Sequence, residues 1–361
     1  MKKLFLLLFV IASLNLDAQY LTSFAKDVNT KDVDGFYYHL PRNVIRLDLV
    51  IEKQQFIKGK YAVYAKEMLN TDNYVKENKV FYRIKSVNIN TLTEADPNYV
   101  FFITADEKNK DNLNVNMELS TVGVIQSYGY KNHEIVNSQN FSFEDVLDYD
   151  VAMSEYNYIS IRDEDDEEDG DGTASKLTEK EIAASIIEEI KNIRVAYFDL
   201  ITGYQEVDYG TTMNYMIDEL KSLENEYIAL FLGKSDEHTF TTSFYIIPEK
   251  GKNSVVIGKF SDMEGLNAKD GKSIKVNFLD SSIGSNVVGL SKDDIENETY
   301  SNKLFYRNPA NVTMQVMVGE EKISENRLTI NQFGNVVLVP MNKMKFVFDA
   351  NTGQILSIIK D

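Results

Sequence analysis

The chain has no cysteine in 361 residues. That excludes disulfides, thiolate metal sites and thiol nucleophiles, and it removes the acceptor for a lipoprotein anchor. Histidine is almost as scarce. His39, His133 and His238 are the three present, and no two stand at the spacing of a preformed zinc site. No G-x-S-x-G elbow occurs, although a Ser-His-Asp triad stays open because its members are remote in a chain. A phosphate loop is missing too. Gly251 and Gly258 precede Lys259, but they are too far apart and a β-branched run fills the gap, which reads as a strand. Beyond the N-terminal segment no apolar run is long enough to cross a bilayer.

What is present begins with Met1-Lys2-Lys3 and an apolar run from Leu4 to Leu14, followed by a polar end. This is the layout of a secretory signal peptide, residues 1–18, with cleavage expected after Ala18 and Gln19 as the rival position. Acidic residues number 56 and basic residues 38, a net charge of −18. Removal of residues 1–18 takes away Lys2, Lys3 and Asp17 and leaves −19. Such a field repels phosphate backbones and anionic lipid, so nucleic acid and membrane insertion of the mature chain are not expected. The expected product is soluble, exported to the periplasm or beyond, and not a lipoprotein.

Residues 36–57 alternate, with Ile45, Leu47, Leu49 and Ile51 on one face, the mark of a half-buried strand. Tyr61 to Leu69 has helical spacing. Strand-like runs follow at 80–89, 99–104, 115–119 and 122–127, making residues 19–161 a β-rich part. Residues 162–176 carry the run Asp163 to Asp169 and read as a solvated acidic linker. Residues 177–235 read as an antiparallel αα-hairpin. Thr178 and Glu181 form a capping box for an apolar stripe of Ile182, Ile186, Ile190, Ile193, Tyr197 and Leu200, ended by Gly203. A second stripe runs Met213, Met216, Leu220, Leu223, Tyr227 and Phe231 before Gly233. Each helix has one face to bury, and a sheet is the expected support. Residues 236–361 return to short strands at 239–247, 254–260, 273–278, 303–306, 312–318, 327–330, 335–339, 345–348 and 354–359. The fold class is therefore α+β: two antiparallel, sandwich-like β parts with a helical hairpin between them.

Three of the five prolines end similar apolar triplets, at Pro41, Pro248 and Pro340. With no fixed period these read as strand stops rather than a repeat. The acidic run fails as an EF-hand because Lys176 falls where a bidentate Glu is required. Tyr37, Tyr38, Tyr128 and Tyr130 suit a sugar-stacking platform, but tyrosine is equally a good strand residue. His39, on a strand, reads as a hydrogen-bonded structural residue. No metal ligand, cofactor or catalytic residue can be named, since with 56 acids any choice of carboxylate pair is arbitrary.

Several segments together resemble a family called domain of unknown function 4831, found in exported proteins of Bacteroidota-type bacteria. They are Tyr38-His39-Leu40-Pro41-Arg42-Asn43-Val44, Glu94-Ala95-Asp96-Pro97, Ile201-Thr202-Gly203, the stretch from Glu219 to Gly233, and Phe348-Asp349-Ala350-Asn351-Thr352-Gly353. The resemblance implies an envelope or extracellular protein with no assigned activity, and it transfers no site residues. The sequence thus points to a non-catalytic binding or scaffold protein whose partner is a protein or glycan. The alternative is a glycan-directed hydrolase with an unidentified carboxylate pair.

Overall fold

Two pairs of very long strands dominate the chain, and both follow from sustained alternation of apolar and polar residues. The computed structural model describes residues 20–27, 33–106, 115–129, 177–203, 210–280, 288–349 and 351–360. The first pair is β2 (Gly35–Ile57) with β3 (Lys79–Ala105). With β1 (Tyr20–Phe24), β6 (Lys234–Ile246) and β10 (Tyr300–Ser301) they form a sheet in the order β10-β1-β3-β2-β6. The second pair is β11 (Lys303–Val318) with β12 (Glu321–Pro340). They join β7 (Ser254–Ser261), β8 (Gly265–Leu266) and β9 (Lys272–Asp280) in the order β12-β11-β9-β7-β8. A smaller sheet, β14-β13-β5-β4, combines β4 (Met117–Leu119) and β5 (Ile125–Tyr128) with β13 (Met344–Phe348) and β14 (Ile355–Lys360). All strand pairs in these sheets are antiparallel, and strands from both sides of the helices share the first and third sheets.

The two large sheets face each other. Ile45, Leu47, Leu49 and Ile51 of β2 meet Ile274, Val276 and Phe278 of β9 and Val312, Met314 and Val316 of β11 in one core. A second core sits at the other end of the long strands. There Tyr38, Phe101 and Ile103 meet Phe305 and Phe346, closed by Ile295 of the short helix α4 (defined here as Lys292–Asn297).

The long hairpins repeat one another. Tyr38-x-x-Pro41-x-Asn43-Val44 in β2 matches Tyr306-x-x-Pro309-x-Asn311-Val312 in β11. Opposite each proline the partner strand bulges. Pairing steps from His39↔Val100 to Pro41↔Ala95, leaving Asp96-Pro97-Asn98-Tyr99 outside the ladder. It steps from Asn308↔Asn335 to Ala310↔Ile330, leaving Asn331-Gln332-Phe333-Gly334 outside. Each first strand then pairs on its other side with a third antiparallel strand, β6 or β9. Reading the prolines only as strand stops therefore needs correction: Pro41 has a structural counterpart, and it is Pro309 rather than Pro248 or Pro340. The same bulges explain why the sequence suggests separate strands at 80–89 and 99–104, and at 303–306 and 312–318. A bulge shifts the phase of alternation, so one bent strand reads as two.

The helix α2 (Glu179–Thr202) starts at the formed Thr178–Glu181 capping box and ends at Gly203, left-handed at φ 68°, while α3 (Thr212–Leu232) starts after Thr211 without a side-chain cap and ends at Gly233. The expected support is different. The base of the hairpin, Ala183, Ile186, Ile190 and Phe231, buries against Tyr61 and Ala65 rather than a sheet, Ala65 opening α1 (Ala65–Leu69). Tyr61 N–H donates to Leu230 O at 2.7 Å and Val75 N–H to Leu232 O at 2.8 Å. Gly233 then turns the chain into β6 at φ 78°, where a Cβ would lie 2.3 Å from Ile57 O. Towards the tip Met213, Met216, Leu220 and Leu223 are only half-buried. Ile190→Ala is accordingly expected to cost about 2–5 kcal/mol, and Leu220→Ala distinctly less, measured by urea unfolding. The acidic linker, His133 and Tyr130 lie outside the described residues.

Candidate functional site

The two bulges meet, and the residues around them form the most polar buried region described. Asn43 and Asn331 are fully buried, and Arg307 and Asp96 nearly so. The Arg307 guanidinium donates from Nη1 to Asp96 Oδ2 and to Pro41 O, both at 2.8 Å, and lies 4.3 Å from the centre of the Tyr99 ring. Asp96 Oδ1 accepts from Asn98 N at 3.0 Å. Asn43 links the hairpins. Its Oδ1 accepts from Asn331 N at 2.7 Å and Asn331 Nδ2 at 2.9 Å, while its backbone N donates to Gln332 Oε1 at 2.9 Å and its O accepts from Gln332 Nε2 at 2.7 Å. Its Nδ2 donates to Thr93 Oγ1 at 3.1 Å, and Thr93 Oγ1 in turn donates to Asn351 O.

The turn 349–353 closes this region. Asp349 Oδ1 accepts from the N–H groups of Asn351 and Thr352 and from Thr352 Oγ1, an Asx-type turn. Gly353 sits at φ 68°, where a Cβ would lie 2.6 Å from Pro41 Cγ. Three of the five segments noted in the sequence, around Pro41, Asp96 and Asn351, thus converge on one place, while the other two shape the helical hairpin. The convergence is a lock between hairpins. Its charges are paired, and Asn331 Oδ1 is the one buried atom of these side chains that has no partner.

A family model described as a domain of unknown function, DUF4831, matches residues 34–356. The chain belongs to the DUF4831 family. No curated protein and no solved structure matches the chain.

Other polar groups of the DUF4831 chain lie on the outer face of the first sheet. Arg46 Nε donates to Asp48 Oδ1 at 2.9 Å, which also accepts from Ser243 Oγ at 2.6 Å. Glu52, buried despite facing outward, pairs with Arg83 Nε at 2.5 Å and with Lys85 Nζ at 3.1 Å. The hydrogen-bonded Arg83 guanidinium is the main reason that the Glu52 carboxyl is held down to about 2 from an ordinary 4.5, with burial opposing it. Glu77, Glu181, Asp294 and Glu325 are also pulled down, by lysines or by helix-cap hydrogen bonds. A glycosidase acid requires the opposite displacement. Because the folded value of Glu52 lies below the unfolded one, its stabilising contribution is complete above pH 4.5 and is lost as pH falls towards about 2. The stability difference between wild type and Glu52→Gln, followed by denaturant melts across that window, is expected to shrink to nothing at its acid end.

One sequence alternative falls away here and one expectation needs correction. The tyrosine platform does not form, because alternation sends Tyr38 inward and leaves Tyr37 exposed. Tyr38 Oη accepts from Phe305 N at 3.0 Å, and Tyr128 Oη donates to Met341 O at 3.2 Å inside the core. Burial pushes the Tyr38 phenol well up and the Tyr128 phenol up to about 12. His39 donates its backbone N–H to Gly123 O at 3.1 Å, but its ring Nδ1 is buried with no partner, so the side chain is not hydrogen-bonded there as expected. Among the described residues no helix is long and apolar enough to cross a membrane, and no three metal-ligating side chains converge.

Proposed function

We propose that the chain is an exported, non-catalytic binding or scaffold protein of the cell envelope, working in the periplasm or outside the cell. The observation that carries this reading is the projecting helical hairpin. Beyond its buried base it exposes Val195, Phe198 and Ile201 on α2 and Tyr215 on α3. Val195, Phe198 and Ile201 follow one another at three-residue spacing, so they neighbour each other along α2, and an apolar strip of that kind suits cover by another molecule. The carboxylates that are best placed and most buried, Asp96, Asp48 and Glu52, are each committed to an arginine. In this reading residues 1–18 are removed on export, residues 162–176 are a solvated linker to the hairpin, and the net negative field steers cationic partners through a Debye length of about 8–10 Å.

The test is incubation of the purified chain with a panel of envelope polysaccharides and peptides, followed by product analysis. No new product is expected. Reproducible cleavage that a single Asp or Glu substitution abolishes, with folding intact, would replace this reading by the glycan hydrolase.

A further inference from the structure

The apolar strip of α2 runs along one side of the helical hairpin, where α3 joins it. Arg194 Nε of α2 meets Glu224 Oε1 of α3 at 2.7 Å, which marks that side. Phe198 lies one turn beyond Arg194 and Ile201 three residues further, so both continue the same side towards the tip. Ile217, two turns before Glu224, brings α3 to the same place. Phe198 is 61% and Ile201 44% exposed, and Ile217 is half-buried. The two helices thus hold between them an apolar furrow that stays open to water.

The charges around this furrow are one-sided. Every cation of the two helices is engaged: Lys180 with Glu67, Lys191 with Glu188, Arg194 with Glu224, and Lys221 over the Tyr197 ring at 5.5 Å. The side chains of Glu179, Glu189, Asp199, Asp218, Glu219 and Glu226 have no ionic partner among the described residues. Two of these acids frame the furrow. Asp199 follows Phe198 and Asp218 follows Ile217, each about 100° further round its helix.

We propose that this side of the hairpin takes up an amphipathic helix of another protein, whose apolar face covers Phe198, Ile201 and Ile217 and whose flanks carry lysine or arginine towards Asp199 and Asp218. The inference rests on the binding reading above and names the partner of its site. Two antiparallel helices offer a third one a furrow between ridges, and a helix presents its apolar residues at the three- and four-residue steps on which the strip is built. Charge selects the partner. A second copy would bring the same unpaired acids to the furrow, and anionic lipid is repelled likewise. The covered area is small, so the complex is expected to be transient and to weaken as salt rises.

The experiment is selection from a phage library of single helices, randomised over their whole surface, against the purified chain, with winners resynthesised. Winners are expected to carry apolar residues at helical spacing with lysine or arginine beside them, to become more helical when bound, and to bind less tightly in salt. Phe198→Ala and Ile201→Ala, both at exposed positions, should each weaken binding about ten-fold. Asp199→Asn combined with Asp218→Asn should weaken it about five-fold and flatten the salt dependence. Glu321→Gln, an exposed acid at the start of β12, should leave both unchanged. Failure to select any helix, or winners that bind all these variants alike, overturns the proposal. Winners that need Phe198 and Ile201 but have neutral or acidic flanks also overturn it, and they leave the binding reading standing. So does sedimentation that shows a dimer of the chain alone which Phe198→Ala disrupts, since the occupant would then be a second copy.

Discussion

Arg307→Met is expected to cost about 3–5 kcal/mol, the penalty for leaving a buried ion without its partner. The side chain is 4% exposed and its Asp96 partner 6%. Removing the guanidinium strands the Asp96 carboxylate, frees Pro41 O and strips the Tyr99 ring of its cation. The loss is not local, because Pro41 and Asp96 belong to the first long hairpin and Arg307 to the second. Denaturant unfolding measures the single variant. A cycle with Asp96→Asn separates the interaction from the burial of charge: with both ions gone, the double variant should be clearly more stable than the sum of the two losses predicts. Strict additivity would mean that the pair does not hold the hairpins together.

Much of the fold was legible because local rules and tertiary packing agree over most of the chain. The capping box at Thr178, the glycines after both helices and the alternation of β2 each specify their element without outside help. The bulges were not legible in the same way. At Pro41 and Pro309 the apolar phase slips, and one bent strand imitates two short ones. The repeated Tyr-x-x-Pro-x-Asn-Val was the available signal, obscured by the more obvious likeness of the apolar triplets before Pro41, Pro248 and Pro340. The place of the helical hairpin was illegible for another reason. An apolar stripe says that a face wants burial, and it reads alike whether the cover is a sheet, the other helix or the short segment around Tyr61. α4 had its own cap, Ser291 with Asp294, in a stretch too short for periodicity to draw notice.

The lock residues were visible as a resemblance before they were visible as a site. Asn43, Asp96 and Asn351 are distant in sequence, and their convergence is made by the bulges that periodicity cannot see. Once placed, their partners show what they do. The polar atoms hold one hairpin to the other in a buried region, and a ligand would have to break those bonds to reach them. In this chain those segments serve mostly architecture.

The other large loss is expected at Phe305→Ala. Its ring stacks on Phe101 at 4.1 Å between centroids, with an interplanar angle of 18°, and both side chains are fully buried. Tyr300 meets it edge-on at 5.4 Å, and Phe101 in turn stacks on Tyr38 at 5.5 Å. Phe101 belongs to the first sheet and Phe305 to the second, so this stack is an apolar counterpart to the Arg307 contact. Truncation removes the transfer free energy of the ring and leaves a cavity among strands too well paired to collapse into it, a cost of about 3–5 kcal/mol. Double-mutant analysis with Phe101→Ala should give a coupling of about 0.5–1.5 kcal/mol beyond buried area, as offset aromatic pairs do. Phe305→Leu, which keeps most of the volume but no ring, should recover much of the stability and little of the coupling. A loss below about 1 kcal/mol for Phe305→Ala, the range of ordinary surface changes, would show that the two sheets do not depend on each other at this end of the sandwich.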